Sequence, residues 1–269
     1  MFIGSFTFNN VAYISEAAFI SDNAATLWNV SNGYFNFPSC SLIKEKAFAG
    51  NFKNIVGIVA SNCSIISNLA FSSCYSLRTI SFPNCTTIGQ SAFNDCRALT
   101  EISFLNCTSI RDYAFVGCTS LSSISFPECT SIGGYAFQGC TKLTNVYFPK
   151  CEIISDKAFS TCYSLTLASF PLCTQIYPAA FYSCRNLNTI SFPECSQIWH
   201  SAFRDCSALT SINFPKCEWI GNSVFINCVN ISSINFPLCT EICSNAFGFC
   251  YSLTSISFPE CVSINYYVF

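Results

Sequence analysis

The sequence predicts an α/β solenoid of about twelve 22-residue coils, with a parallel β-sheet on one face and short 3-10 or α-helical turns on the other. Two spacings and one composition predict it. Phe71, Phe93, Phe115 and their successors to Phe269 follow at a constant step of 22 residues. The series Cys74 to Cys250 and Cys85 to Cys261 keep the same step. Half of the chain is apolar (51%) and only 10% is charged, against about 25% in ordinary soluble domains, so a continuous core has ample material. Equal spacing over such a length requires like units stacked along one axis, each contacting only its neighbours.

One unit, from Leu77 to Ala98, reads LRTISFPNCTTIGQSAFNDCRA. Leu77, Ile80 and Phe82 fit L-x-x-L-x-L, with Cys85 three residues later. The segment around Arg78–Phe82 is predicted to be a strand that pairs in parallel with its counterparts at about 4.8 Å. The period of two turns Thr79 and Ser81 outward, and Ile80 and Phe82 inward. Pro83 recurs as Pro127, Pro149, Pro171, Pro193, Pro215, Pro237 and Pro259; lacking an N–H, it ends the strand and fixes the bend. Leu105 stands once in its place. From Ile88 to Phe93 the apolar residues lie four and five apart, which predicts a single 3-10 or α turn held by packing. Ladders of Ile88, Phe82, Phe93 and their repeats fill the core. Each such Phe or Ile is worth roughly 1.5–3 kcal/mol when buried, and one coil alone cannot offset its chain entropy.

Units begin near Ile3, Asn32, Ile55, Leu77, Leu99, Leu121, Leu143, Leu165, Leu187, Leu209, Ile231 and Leu253. They form a single domain over 1–269, with degenerate repeats in 1–54 and regular ones in 55–269. An insertion around Ser21–Val30 stretches the first unit to 29 residues.

The run Leu77-x-x-Ile80-x-Phe82-Pro83-x-Cys85-x-x-Ile88-Gly89-x-x-Ala92-Phe93-x-x-Cys96 resembles the treponemal-type, BspA-like leucine-rich repeat. The match covers nearly the whole chain and is tightest from Ile55 onward; Val11 and Asp22 replace the two cysteines of the first unit. The resemblance implies a curved solenoid on a microbial surface or in a secreted protein, with roles in adhesion and partner recognition and with no catalytic residues.

The 21 cysteines form a ladder of eleven (Cys40, Cys63 and the series from Cys85) and one of nine from Cys74, with Cys243 left over. Adjacent rungs lie within reach of a disulfide. Both ladders are odd in number, however, and Val11 and Asn51 occupy equivalent sites. No C-x-x-C pair or neighbouring His completes a zinc site. The pattern favours buried free thiols acting as small apolar groups, and hence reducing or anaerobic surroundings.

Twelve Lys and Arg against fourteen Asp and Glu give a net charge of −2, so no positive field exists to hold nucleic acid. No apolar run approaches the roughly 18 residues needed to span a bilayer, and the first basic residue is Lys44, which leaves no positive n-region for a secretory signal. His200 is the single histidine. A dyad with Cys195 or Cys206 is its functional reading, and an exposed rim residue the plainer one. Gly133-Gly134 lacks the following Lys of a phosphate loop. No cofactor, metal or catalytic residue is expected.

Binding falls to positions the repeat leaves free. The strand face is mostly Ser, Thr and Asn, interrupted by Tyr147. The residues after the repeated Ile vary most and carry Tyr113, Tyr135, Tyr177, Trp199 and Tyr266, with Trp219 just before that position. Exposed aromatic residues on a rigid frame suit an interface with a protein or glycan. A second expectation is structural. Phe2 and Ile3 at one end, and Val268 and Phe269 at the other, carry no polar cap, and end-to-end contact of such faces builds a homo-oligomer or filament.

Overall fold

The computed structural model describes residues 5–19, 33–50 and 55–269. Phe2, Ile3, Asp22, Asn51 and the Ser21–Val30 insertion lie outside them. The chain winds as a parallel β-solenoid in which each coil contributes two short strands. The front strand is three residues long in the regular coils, as at Thr79–Ser81, and the side strand two, as at Thr87–Ile88. The side strands join into one 12-stranded parallel sheet in sequence order. Its register is a step of one coil throughout the regular repeats, Ile88 opposite Ile110 and Ile110 opposite Ile132.

Among the described residues there is no helix, and the expected 3-10 or α turns are not formed. Thr87 and Ile88 lie in a strand. The third side, from Gly89 to Cys96, is a run of tight turns whose amides alternate between two partners. Ala92, Asn94 and Cys96 donate three residues back to Gly89, Ser91 and Phe93. Ser91, Phe93 and Asp95 instead donate to Asp112, Ala114 and Val116 of the next coil, at 2.7–2.9 Å. A helix would direct successive amides into its own turn. The alternation is possible because Ser91 and Asp95 take left-handed φ values of 54° and 58°, a conformation that Tyr113, Tyr135, Lys157 and Ser201 repeat. That conformation costs a non-glycine residue roughly 1–2 kcal/mol, and the inter-coil bonds hold it in place.

Three ladders carry the bulk of the core, as the periodicity implies, with the Leu77, Ala92 and cysteine series buried beside them. Ile88 and its repeats to Ile242 are buried, and so are Phe82 to Phe236 and Phe71 to Phe247. The phenylalanines of the turn side stack face to face, Phe115 at 5.2 Å from Phe93 and Phe137 at 5.2 Å from Phe115. The front ladder is more widely and unevenly spaced, with 6.2 Å from Phe82 to Phe104 and 5.4 Å from Phe104 to Phe126.

The front face is also less continuous than the side sheet. The front strands form four separate sheets, interrupted after Thr79–Ser81, Ser123–Ser125 and Thr189–Ser191. The middle residues of those three strands, Ile80, Ile124 and Ile190, are only half-buried, whereas Ile102, Val146 and Ile212 on the far side of each break are buried.

Candidate functional site

Pleating and the two-residue side strands decide where variable side chains emerge. Thr79, Ser81, Ser103, Ser123 and Ser125 point to solvent from the front strands, and Tyr147 stands among their repeats 60% exposed. The residues that follow the buried Ile of each side strand form the rim. They sit where the chain leaves a strand for the turn run, so their side chains project along the flank of the solenoid and meet those one coil away.

The rim aromatics fall into two clusters. Tyr113 and Tyr135 stack with ring centroids 4.8 Å apart, and the Lys157 ammonium lies 5.0 Å from the Tyr135 ring. Tyr177 stacks on Trp199 at 5.7 Å, and Trp199 meets Trp219 edge-on at 5.3 Å. These five are in part covered by one another, with Tyr113 the most exposed. Tyr147 belongs to the front face and joins neither cluster, and Tyr266 stands 80% exposed on the last coil. The indole N–H of Trp199 is buried and has no hydrogen-bond partner among the described residues. An unsatisfied donor of that kind costs about 1–3 kcal/mol.

At the end of the chain Val268 is buried, its carbonyl accepting the Phe247 amide at 2.7 Å, and Phe269 stacks on Phe247 at 5.9 Å with half of its surface exposed.

The thiols of both ladders turn inward, and each has a backbone partner; Cys243, outside the ladders, donates to the Glu241 carboxylate at 3.9 Å. In the first ladder every cysteine from Cys40 to Cys261 donates to the carbonyl two residues on; Cys85 reaches Thr87 at 3.3 Å and Cys129 reaches Ser131 at 3.2 Å. In the second ladder each donates to the preceding coil, Cys96 to the Phe71 carbonyl at 3.2 Å and Cys140 to that of Phe115 at 3.3 Å. All 21 are free. Burial pushes the thiols of Cys63 and Cys173 up to about 12 and that of Cys107 up to about 11. Such groups stay protonated and make poor nucleophiles. Cys195 and Cys206, the sequence neighbours of His200, donate to Gln197 and Phe181, while His200 is exposed. No dyad is assembled.

Gly133 and Gly134 have a packing role. A Cβ on Gly133 would lie 2.5 Å from the Asp112 amide nitrogen, and the Gly134 amide donates to the Asp112 carboxylate at 2.8 Å. Among the described residues no group of three or more His, Cys, Asp or Glu is placed to hold a metal ion, and no helix is long and apolar enough to cross a membrane.

A family model for the BspA type leucine-rich repeat region matches residues 41–166 and 174–269, in six copies. The chain belongs to the BspA-type leucine-rich repeat family. Among solved structures, a leucine-rich repeat protein from Bacteroides ovatus is 20% identical, with a TM-score of 0.55 over 97% of this chain and 91% of that one. The leucine-rich repeat protein of T. pallidum is 23% identical, with a TM-score of 0.51 over 70% of this chain and 91% of that one. At these identities the likeness is one of fold. No curated protein matches the chain.

Two features of this BspA-type solenoid escaped the reading of the sequence. Side-chain hydroxyls form ladders of their own: Thr86, Thr108 and Thr130 each donate to the backbone carbonyl 22 residues earlier. Exposed cations also lie over tyrosines one coil away, Arg97 at 5.1 Å from Tyr75 and Arg185 at 5.4 Å from Tyr163. The signal for both was present, since a pair of residues 22 apart is a pair of neighbours.

Proposed function

We infer that this BspA-type chain is a non-enzymatic recognition module of a microbial surface or secreted protein, and that Tyr177, Trp199 and Trp219 form the heart of its binding site. The supporting observation is their contact over three successive coils. They bring aromatic area on a frame that the core ladders already hold still, so little side-chain entropy remains to be lost on binding. The unpaired Trp199 indole N–H lies in the same cluster.

The stacking favours a protein over a glycan. Sugars pack their C–H faces on open ring faces. The rings of Tyr113 and Tyr135 lie nearly parallel, 15° apart, and Lys157 lies over Tyr135, so Tyr135 offers its edge and hydroxyl. Edges and hydroxyls suit the mixed polar and apolar surface of a protein.

An array carrying both glycans and extracellular proteins tests this, probed with the intact chain and with the triple variant Tyr177→Ser, Trp199→Ser and Trp219→Ser. Binding to protein spots is expected, with a loss of at least tenfold in the variant and an unchanged circular-dichroism spectrum. Equal binding by the variant refutes the rim site, and binding confined to glycan spots refutes the protein preference.

A further inference from the structure

The corner between front and side strands carries an order longer than one coil. The residue after the corner proline is Glu128, Lys150, Leu172, Glu194, Lys216, Leu238 and Glu260 in seven successive coils. The cycle Glu, Lys, Leu repeats every three coils. These side chains form an outward ridge beside half-exposed prolines. Leu172 and Leu238 are 48% and 46% exposed, and Glu128 pairs with Lys150 and Glu194 with Lys216 along the ridge. None of these residues belongs to the core ladders or the aromatic rim. Exposed ion pairs of this kind contribute only about 0–1 kcal/mol to folding, so stability of the coil does not account for the order.

A three-letter cycle of this composition is complementary to its own reverse. When two identical ridges are laid side by side and antiparallel about a two-fold axis, one choice of register sets every Lys against a Glu and every Leu against a Leu, with Glu128 alone overhanging. Centred between Glu194 and Lys216, that register pairs Glu194 with Lys216, Lys150 with Glu260 and Leu172 with Leu238, each twice. The coil spacing is the same in both chains, so the match does not drift along the ridge. An unrelated partner would have to reproduce a rung of about 4.8 Å to do the same. Two-fold pairing through one patch is the closed, isologous mode that limits assembly to a dimer. The exposed leucines supply apolar contact, Glu194 gains a second ammonium across the axis, and Glu260 faces Lys150 of the other copy.

We propose that the Pro-Glu, Pro-Lys, Pro-Leu ridge is a self-recognition surface on which two copies of this chain pair side by side and antiparallel. The pairing leaves both aromatic rims free, which makes the assembly bivalent.

Sedimentation velocity of the intact chain is expected to show a dimer. One variant, Glu128→Lys, Glu194→Lys and Glu260→Lys, makes the charges of the ridge all positive; another, Lys150→Glu and Lys216→Glu, makes them all negative. Each variant alone is expected to sediment at half the native mass, and an equimolar mixture to restore the dimer. The mixture also distinguishes lost pairing from lost folding, since misfolded chains would not rescue one another. A wild-type chain that stays monomeric, a dimer that survives either variant, or a mixture that fails to associate overturns the proposal.

Discussion

The cysteine of this solenoid acts as a backbone partner with a small apolar body. Its thiol is soft enough to sit among phenylalanines and still donates to a carbonyl, as Cys118 does to Phe93 at 3.2 Å. The resulting rise in thiol pKa makes stability depend on pH in one direction. The native state keeps protons that the unfolded chain gives up above about pH 8.5, so above that point the unfolded state binds fewer protons and stability falls as pH rises. Each thiol held up to about 12, such as Cys63 or Cys173, takes away about 1.4 kcal/mol per pH unit across that window. Thermal melts followed by circular dichroism are expected to be flat from neutral pH to about pH 8 and to fall steeply above about pH 9. Replacing Cys63, Cys107 and Cys173 by Ala should shallow the alkaline slope while lowering the neutral melting temperature. An unchanged slope would remove the thiols from the explanation.

At the level of the element, the turn run shows what periodicity can and cannot disclose. The buried positions were legible: Ile88, Ala92, Phe93 and Cys96 are all in the core. The backbone between them was not, because apolar spacings of four and five suit one helical turn and a chain of tight turns equally. What decides is the left-handed conformation at two positions per coil, and most of those hold Ser, Asp, Tyr or Lys in place of the glycine that would have signalled it. The rim aromatics were legible as exposed residues on one flank. Their grouping was not, because Trp199 and Trp219 occupy different positions of the repeat and meet only through the lateral reach of the indoles. The turn geometry leads to an opposed pair of mutants. Ser91→Gly removes the left-handed strain and is expected to stabilise the chain by about 0.5–1 kcal/mol. Ser91→Pro forbids that φ and deletes the 2.9 Å bond to Asp112, for a loss of about 3 kcal/mol or more. Denaturant midpoints of the two variants measure both signs, and a helical turn would predict the opposite sign for glycine.

Over the whole molecule, stability is a sum of like units and the interfaces between them. Removing residues 187–208, one complete coil, rejoins Leu209 to Asn186 in the register that Leu187 had and keeps all the ladders continuous. That variant is expected to fold, with the far-ultraviolet spectrum of the parent and a lower melting temperature. Removing residues 187–197, half a coil, sets phenylalanines against strand positions and is expected to abolish cooperative unfolding. Equal tolerance of both deletions would mean that the ladders do not carry the fold. The three front interruptions, after Ser81, Ser125 and Ser191, divide this sum unevenly. The side sheet and the turn run remain continuous across them, so at these three junctions the coils are joined by strand and turn bonds on two sides only.

The alternating amides of the turn run give this architecture a built-in reporter. Ala92, Asn94 and Cys96 are bonded within their own coil, and Ser91, Phe93 and Asp95 to the next. If two coils part while each keeps its shape, only the second set exposes its amides to solvent. Deuterium would then enter at every other residue, and the resulting comb would locate the parting to a single junction.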